Sequence, residues 1–263
     1  MDLVCVDVDG TLVGPSGEVS EAVWRAAAAA RERGIRLAIC SGRPAFGVTR
    51  GYASRLDPVG WHVFQNGASI VHLPDGETRS HAISPSVVAG LVERSRALTR
   101  ALELYSDTEY VVELDQPRTR RHADLLGVPF VARDLDSLRG PVVRAQWLVS
   151  HDEAAGIIAE PHDGLLLSHS LSPVMPETSF VNLTPAGVDK ASAVRIVAGA
   201  YGVSLERVMM VGDSANDVST MRIVGAPVAM GNAEAEVHAV ARYRVADVDG
   251  DGLAAAFALA ADL

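Results

Sequence analysis

The sequence predicts an α/β protein in which a parallel-sheet domain is interrupted by a second α/β domain. Short apolar runs without polar alternation are typical of strands that are buried on both faces. Helical patterns alternate with these runs at both ends of the chain, whereas the order and spacing of the predicted elements differ in the middle. A chain of 263 residues is long enough for two domains.

The first elements form a parallel β-α-β unit. Leu3–Val8 is predicted as a buried strand that ends in acidic residues. An Ala-rich helix is predicted over Glu21–Arg33, because Ser20 can cap its start and Gly34 can end it. Ile35–Cys40 follows as the second strand. The order strand, helix, strand favours a parallel pair with a helical crossover.

A β-hairpin is predicted next, before the texture changes. His62–Gln65 is predicted as a strand, and Ala68–His72 and Glu77–His81 flank a Leu-Pro-Asp-Gly turn, which favours pairing of those two runs. Pro85 then opens a helix that reaches about Thr99. This change of pattern marks the start of the inserted domain.

Apolar runs and helical periodicity also predict the elements of the inserted domain and of the C-terminal part. In the inserted domain we expect strands at 102–105, 109–114, 144–149, 165–168 and 179–183, with a helix at 151–159. After it we expect helices at 191–201, 217–224 and 233–241, strands at 207–211, 227–230 and 243–246, and a final helix from residue 252. The parallel pattern of the first domain therefore resumes after the insertion.

Composition and charge exclude several classes of function. The chain carries 23 basic and 33 acidic side chains, a formal net charge of −10, which disfavours nucleic-acid binding. Two cysteines are too few for a disulfide framework, and no apolar run is long enough to span a bilayer. We therefore expect a cytoplasmic protein without nucleic-acid or membrane partners, as a monomer or homodimer.

Two groups of carboxylates follow predicted strands. Asp7 and Asp9 are two residues apart, so a strand would point both side chains into the crevice where open α/β sheets bind ligands. Asp213, Asn216 and Asp217 follow another apolar run and end at the same sheet edge. Neighbouring carboxylates favour a divalent cation or a bound proton, and either condition suits phosphoryl chemistry. A solvated strand end and a helix cap are the structural alternatives.

Other polar residues complete the candidate site. Ser41 and Gly42 end the second strand, where a hydroxyl and free amides can hold phosphate oxygens. The Thr11 hydroxyl can brace the loop after Asp9. Lys190 lies at the start of a helix, where the helix dipole disfavours a cation, so a reason other than helix stability is indicated.

These motifs together resemble a known enzyme family. DVDGTL at 7–12, CSGR at 40–43, Lys190 and GDSAND at 212–217 look like the four ordered motifs of haloacid-dehalogenase-superfamily phosphatases. Asn66-Gly67-Ala68 and the segment VAMGNA at 228–233 look like the Cof-type subfamily. The resemblance implies a Rossmann-like core at 1–82 and 183–263 and an inserted α/β cap for substrate specificity at 83–182. Asn182 stands where the family often has an acidic residue.

The resemblance also implies roles for residues. Asp7 would be the nucleophile, and Asp9 would protonate the leaving oxygen and then activate water. A Mg²⁺ ion would be bound at Asp7, Asp9 (through its carbonyl) and Asp213. Ser41, Gly42 and Asn216 would hold phosphate oxygens, and Lys190 would neutralise charge on the transferring group. Asp217 would position Lys190 or a metal-bound water, and the further supporting residues would be Thr11 and Arg43.

The resulting prediction is a Mg²⁺-dependent phosphomonoesterase that acts on a small phosphorylated metabolite, with sugar phosphates as the first candidates. A phosphomutase would use the same aspartyl-phosphate but transfer the phosphoryl group to another hydroxyl. A receiver-like module would store the group without hydrolysis. The inserted domain and the base that Asp9 would supply argue against the receiver.

Overall fold

The computed structural model describes residues 1–171 and 174–263 as two compact units. The first unit comprises residues 1–43, 49–79 and 189–263, and the second comprises 44–48 and 80–188. The sequence placed the insertion at 83–182. Within the described residues, no helix is both long and apolar enough to cross a membrane.

The N-terminal part of the first unit contains four strands and two helices. Their bounds are β1 (Leu3–Val6), α1 (Glu21–Glu32), β2 (Arg36–Ile39), α2 (Val48–Leu56), β3 (Trp61–Phe64) and β4 (Ser69–His72). Ser20 caps α1 by accepting a hydrogen bond from the Val23 amide, as the sequence predicts.

The inserted unit forms an antiparallel sheet with three helices. Its elements are α3 (Pro85–Leu98), β5 (Leu102–Tyr105), β6 (Tyr110–Val112), α4 (Pro117–Leu126), β7 (Arg144–Val149), α5 (His151–Ile158), β8 (Leu165–Leu171) and β9 (Ser179–Pro185). The strand order is β6-β5-β7-β9-β8, with β8 at one edge. The buried Trp147 lies in an apolar cluster on one face of this sheet.

The C-terminal part returns to the first unit. It contains α6 (Lys190–Tyr201), β10 (Val208–Gly212), α7 (Val218–Met221), β11 (Ala226–Ala229), α8 (Ala235–Val240), β12 (Tyr243–Arg244) and α9 (Gly252–Asp262). The sheet order is β12-β11-β10-β1-β2, and all neighbouring strands are parallel. The predicted parallel α/β fold is therefore confirmed.

Burial on both faces explains why the strands of this sheet read as continuous apolar runs. Leu3 and Cys5 join Val194 of α6 in one core cluster. Val4 and Val6 alternate to the opposite face and are equally inaccessible to solvent. Each strand residue thus contacts protein whichever way its side chain points.

The predicted hairpin forms only in part. Residues 77–81 are not a strand, but they pair with β4 through the bridge between Val71 and Thr78, where the Arg79 amide donates to the Ile70 carbonyl oxygen. The main partner of β4 is β3, and the chain reverses between these strands at residues 65–67, all of which have positive φ. This second turn, at the Asn-Gly pair, was not predicted. Helix α2 was not predicted, and the helix expected at 217–224 begins as a 3₁₀ turn.

Close backbone packing gives a testable prediction at Gly225, which immediately precedes β11. A Cβ atom there would lie 2.0 Å from the carbonyl oxygen of Glu206. Because backbone atoms must shift, Gly225→Ala should lower the free energy of unfolding by about 1–3 kcal/mol. Chemical denaturation measures this. Gly199→Ala in α6 is the matched control, since its Cβ meets nothing within 4 Å, and it should be neutral or stabilising.

Candidate active site

The candidate site lies where the strand order of the first unit changes direction. The chain leaves β1 toward β2 on one side and later returns with β10 on the other side of β1. The carboxyl ends of these neighbouring parallel strands carry Asp7 and Asp213. In open α/β sheets, ligands bind in the crevice at such a switch point.

Asp7 is a buried carboxylate with a fixed cationic partner. Its residue is only 3% exposed, and its Oδ1 accepts a hydrogen bond of 2.8 Å from Lys190 Nζ. Burial raises the pKa of Asp7 well above its usual range, and the Lys190 ammonium opposes that rise. The cation therefore favours the ionised carboxylate in a setting that would otherwise disfavour it.

Lys190 is completely buried at the first position of α6. Its ammonium lies 2.8 Å from Asp7 and 2.6 Å from Asp217, and a longer contact reaches Asn216 Oδ1. Burial alone would lower the pKa of Lys190, but the two carboxylates outweigh it and raise that pKa. This explains a lysine at a helix start, where the dipole disfavours it.

The turn before β4 packs against the start of α6. A Cβ on Gly67, whose φ is +100°, would lie 2.1 Å from the carbonyl oxygen of Asp189. Only glycine allows this approach. Asp189 in turn caps α6 by accepting a hydrogen bond from the Ser192 amide. The turn and the cap together fix the residue that precedes Lys190.

Asp217 holds the loop after β10 in place. Its Oδ2 accepts hydrogen bonds from the amides of Asp213 and Ser214, while its Oδ1 receives Lys190. Part of the role of Asp217 is therefore structural, because it bonds backbone amides at the start of the turn. The same carboxylate also binds the lysine, as expected for a residue that positions it.

Asp213 is partly buried beside Gly10 and Thr11. Thr11 Oγ1 donates a hydrogen bond of 3.2 Å to Asp213 Oδ1. A Cβ on Gly10 would lie 2.0 Å from Asp213 Oδ2, so the glycine makes room for this carboxylate. Burial, followed by the negative charge of Asp217, raises the pKa of Asp213 to about 7.

Asp9 has a different environment from Asp7. Its side chain is 63% exposed, and both its oxygens accept hydrogen bonds from Arg43, from Nε at 2.9 Å and from Nη2 at 2.5 Å. Strand β1 ends at Val6, so the two-residue repeat of a strand does not by itself set the direction of the Asp9 side chain. Gly10, with a φ of +77°, then turns the chain.

Ser41 and Gly42 lie beside Asn66. Ser41 is fully buried, and its hydroxyl accepts a hydrogen bond from the Arg43 amide. A Cβ on Gly42 would lie 3.1 Å from Asn66 Oδ1, the atom that accepts a hydrogen bond from Asn216 Nδ2. Asn216 is exposed and also contacts Lys190. These contacts bring the predicted phosphate ligands and the lysine into one connected group.

Two asparagines in this group were not among the predicted site residues. Asn66 bridges to Asn216 from the left-handed turn, and Asn232 donates a hydrogen bond of 2.8 Å to the Gly10 carbonyl oxygen. A longer contact of 3.4 Å joins Asn232 to Asp213. Both lie in segments that the sequence resemblance singled out, so their position in those segments was the available signal.

The carboxylates fit a divalent metal ion. Among the described residues, Asp7, Asp213 and Asp217 can each offer a ligand oxygen within 4.8 Å of the others. Two of these carboxylates share the single ammonium of Lys190, and burial together with the negative charge of Asp217 raises the pKa of the third, Asp213. Oxygen ligands of this kind suit Mg²⁺. Asp217 is completely buried and already holds Lys190 and two backbone amides, so Asp7 and the more accessible Asp213 are the better placed ligands.

The fold and site define a class of protein: an α/β protein with a buried carboxylate, a fixed lysine and an acidic group suited to a metal ion at the edge of a parallel sheet. The family model for haloacid dehalogenase-like hydrolases matches residues 4–257. The chain therefore belongs to that family. The Cof-type phosphatase resemblance seen in the sequence is confirmed, and the protein is an enzyme of the phosphoric monoester hydrolase class.

Known proteins resemble the chain along nearly its whole length. A phosphatase-named protein of Bacillus subtilis (strain 168), YxeH, is 26% identical over 261 residues, which cover 96% of this chain and 95% of that protein. HMP-PP phosphatase of Escherichia coli O157:H7 is 26% identical over 240 residues, which cover 90% of this chain and 86% of that protein. A haloacid dehalogenase-like hydrolase from Bacteroides thetaiotaomicron has a solved structure with a TM-score of 0.87, 27% identity and 98% of each chain covered.

The raised pKa of Asp213 predicts a pH-dependent stability in the presence of a chelator. The folded pKa, about 7, lies above the ordinary value of 3.8, so the folded protein binds more protons than the unfolded chain between these values. This site's contribution to the free energy of unfolding should therefore fall as pH rises through that range. Asp213→Asn should remove this part of the slope and become increasingly stabilising relative to wild type.

Thermal unfolding of both proteins across that pH range measures the effect. Groups that titrate equally in both proteins cancel in the difference. Addition of Mg²⁺ at neutral pH should raise the melting temperature of wild type more than that of Asp213→Asn. Parallel pH profiles for the two proteins would contradict the prediction.

Proposed function

We propose that this enzyme hydrolyses small phosphorylated metabolites through an aspartyl-phosphate at Asp7, with Mg²⁺ as its cofactor. The observation that carries the proposal is the buried Asp7 carboxylate, hydrogen-bonded at 2.8 Å to a fully buried lysine. A desolvated, oriented carboxylate with an adjacent cation is suited to attack phosphorus.

In the first proposed step, a carboxylate oxygen of Asp7 forms a bond to phosphorus as the bond from phosphorus to the ester oxygen breaks. Asp9, protonated in this step, gives its proton to the leaving oxygen. The Lys190 ammonium stabilises the negative charge that this step gathers near Asp7. The products of this step are the free alcohol and the phosphorylated enzyme.

In the second proposed step, Asp9 accepts a proton from water as the water oxygen attacks phosphorus. The bond between phosphorus and Asp7 breaks, and inorganic phosphate is released. Asp9 regains its proton, so the enzyme returns to its starting state. Ser41, Gly42 and Asn216 hold phosphate oxygens in both steps.

The metal is proposed to be held by the carboxylates of Asp7 and Asp213, with the Asp9 carbonyl as a further ligand. Bound there, Mg²⁺ would supply positive charge to the transferring phosphoryl group and shield it from the neighbouring carboxylates.

Arg43 bears on when Asp9 can act. Its guanidinium donates hydrogen bonds to both Asp9 oxygens, which stabilises the carboxylate anion. This arrangement suits the base of the second step. Protonation of Asp9 for the first step requires the bidentate contact to loosen.

The proposed substrate is a small phosphate ester, and sugar phosphates come first because of the family resemblance. A curated relative, HMP-PP phosphatase, also carries the name of a phosphorylated small molecule, which supports the broader class. A panel of sugar phosphates, nucleotides, phosphoglycolate, pyridoxal phosphate and HMP-PP, assayed for phosphate release with Mg²⁺, identifies the subset that is turned over. An isomerised sugar phosphate without released phosphate would instead indicate a phosphomutase.

Asp7→Asn should lower kcat on the best panel substrate by about a thousandfold or more, because the amide cannot form the acyl-phosphate bond. Phosphate release under saturating substrate measures this, and circular dichroism confirms that the variant is folded. Asp163→Asn is the matched control, since Asp163 is exposed in the turn before β8, and its activity should equal wild type. Full activity of Asp7→Asn would refute the mechanism.

Asp9→Asn should slow hydrolysis most for substrates whose leaving group needs a proton. For an alkyl phosphate from the panel, kcat/KM should fall by about 10²–10⁴-fold. The loss should be much smaller for p-nitrophenyl phosphate, whose leaving group is stable as an anion. Equal losses for both esters would argue against proton donation by Asp9. Asp262→Asn, on the exposed end of α9, serves as the control.

A further inference from the structure

Strand β8 is an uncovered edge of the inserted sheet. Among the described residues it pairs with β9 alone, along Leu165–Leu171, and five of its seven side chains are exposed. Its sequence, LLLSHSL, contains no Asp, Glu, Lys, Arg or Pro. Natural proteins protect long edges with such residues, because an unprotected edge offers its backbone groups to another strand.

The other sheet edges in the described part of the chain are short or already bonded. Strand β6 has three residues, and the Arg133 amide donates to the Val112 carbonyl there. Strand β12 has two residues, and β2 continues into a bridge between Cys40 and Val63. Among the described residues β8 is the longest of these edges, with seven residues, and the Leu165 amide at its start donates to the His162 carbonyl oxygen.

Two leucines of this strand are exposed, Leu166 at 43% and Leu171 at 61%. They lie on opposite faces of β8, because side chains alternate along a strand. Exposed apolar side chains beside an open backbone edge favour an interaction surface.

We propose that β8 pairs with β8 of a second copy of this chain, in antiparallel orientation about a two-fold axis at Ser168. Antiparallel pairing of a strand with itself is self-complementary under two-fold symmetry. In this register Ser168 faces the same residue of the second copy. Leu171 of each copy faces Leu165 of the other, and the two five-stranded sheets become continuous.

The side-chain pattern of β8 supports this partner and this register. Leu165 and Leu167 already pack against the apolar cluster of the inserted unit. Leu171 shares their face of the strand, because side chains alternate. Pairing with Leu165 of the second copy would extend this cluster over Leu171. The strand carries no acidic or basic side chain that would repel its copy, and its single titratable residue, His169, contacts the Ser179 hydroxyl.

Charge substitution at the two-fold axis tests the proposal. Wild type should show concentration-dependent association in sedimentation equilibrium, toward twice the mass of the 27.7 kDa chain. Ser168→Lys and Ser168→Glu each place like charges opposite each other, so each alone should weaken association at least about tenfold. An equimolar mixture of the two should regain it, because the charges are then opposite. A merely misfolded variant would not be rescued by mixing.

Oxidative cross-linking tests the register. Ser168→Cys should form a disulfide-linked dimer, because directly opposed residues lie within disulfide reach. The native Cys5 and Cys40 are buried and should not interfere. Ser170→Cys is the matched control, since residue 170 would face Leu166 rather than itself. A monomeric wild type at every concentration, unaltered association of the charged variants, or equal cross-linking of both cysteines would overturn the proposal.

Discussion

The ion pairs of Lys190 with Asp7 and Asp217 are the interaction on which the first unit's site depends. A fully buried ammonium is stable only when carboxylates compensate for its lost hydration. The three residues come from the end of β1, the start of α6 and the turn after β10. The two ion pairs of Lys190 therefore hold three separate chain segments together at the edge of the sheet.

This constraint leaves the site with an excess of negative charge. Asp7 and Asp217 share the single charge of Lys190, and no ion pair of Asp213 is seen among the described residues. Burial, and after it the negative charge of Asp217, raises the pKa of Asp213. The same excess makes the group suited to a divalent ion. The structural need for Lys190 and the proposed need for Mg²⁺ thus have one electrostatic origin.

Sequence reasoning located the strand ends well, because a parallel strand buried on both faces leaves a clear apolar run followed by polar residues. Ser41 and Asp213 are examples. Contacts that depend on backbone turns were harder to foresee. The left-handed turn at Asn66 was not predicted, and the turn that was predicted at Pro-Asp-Gly after β4 forms in addition to it. The Arg43 contact with Asp9 was missed because strand periodicity was extended past Val6, where the strand ends.

The different environments of Asp7 and Asp9 argue for a division of labour between them. A nucleophile must keep one position and charge, and Asp7 is buried against an ammonium that is itself buried and held by a second carboxylate. A group that first gives and then takes a proton needs access to solvent and a partner that can release it. Asp9 is exposed and bound by a long, flexible guanidinium side chain. The two residues are separated by one position in sequence, yet burial alone makes each unsuited to the other's proposed role.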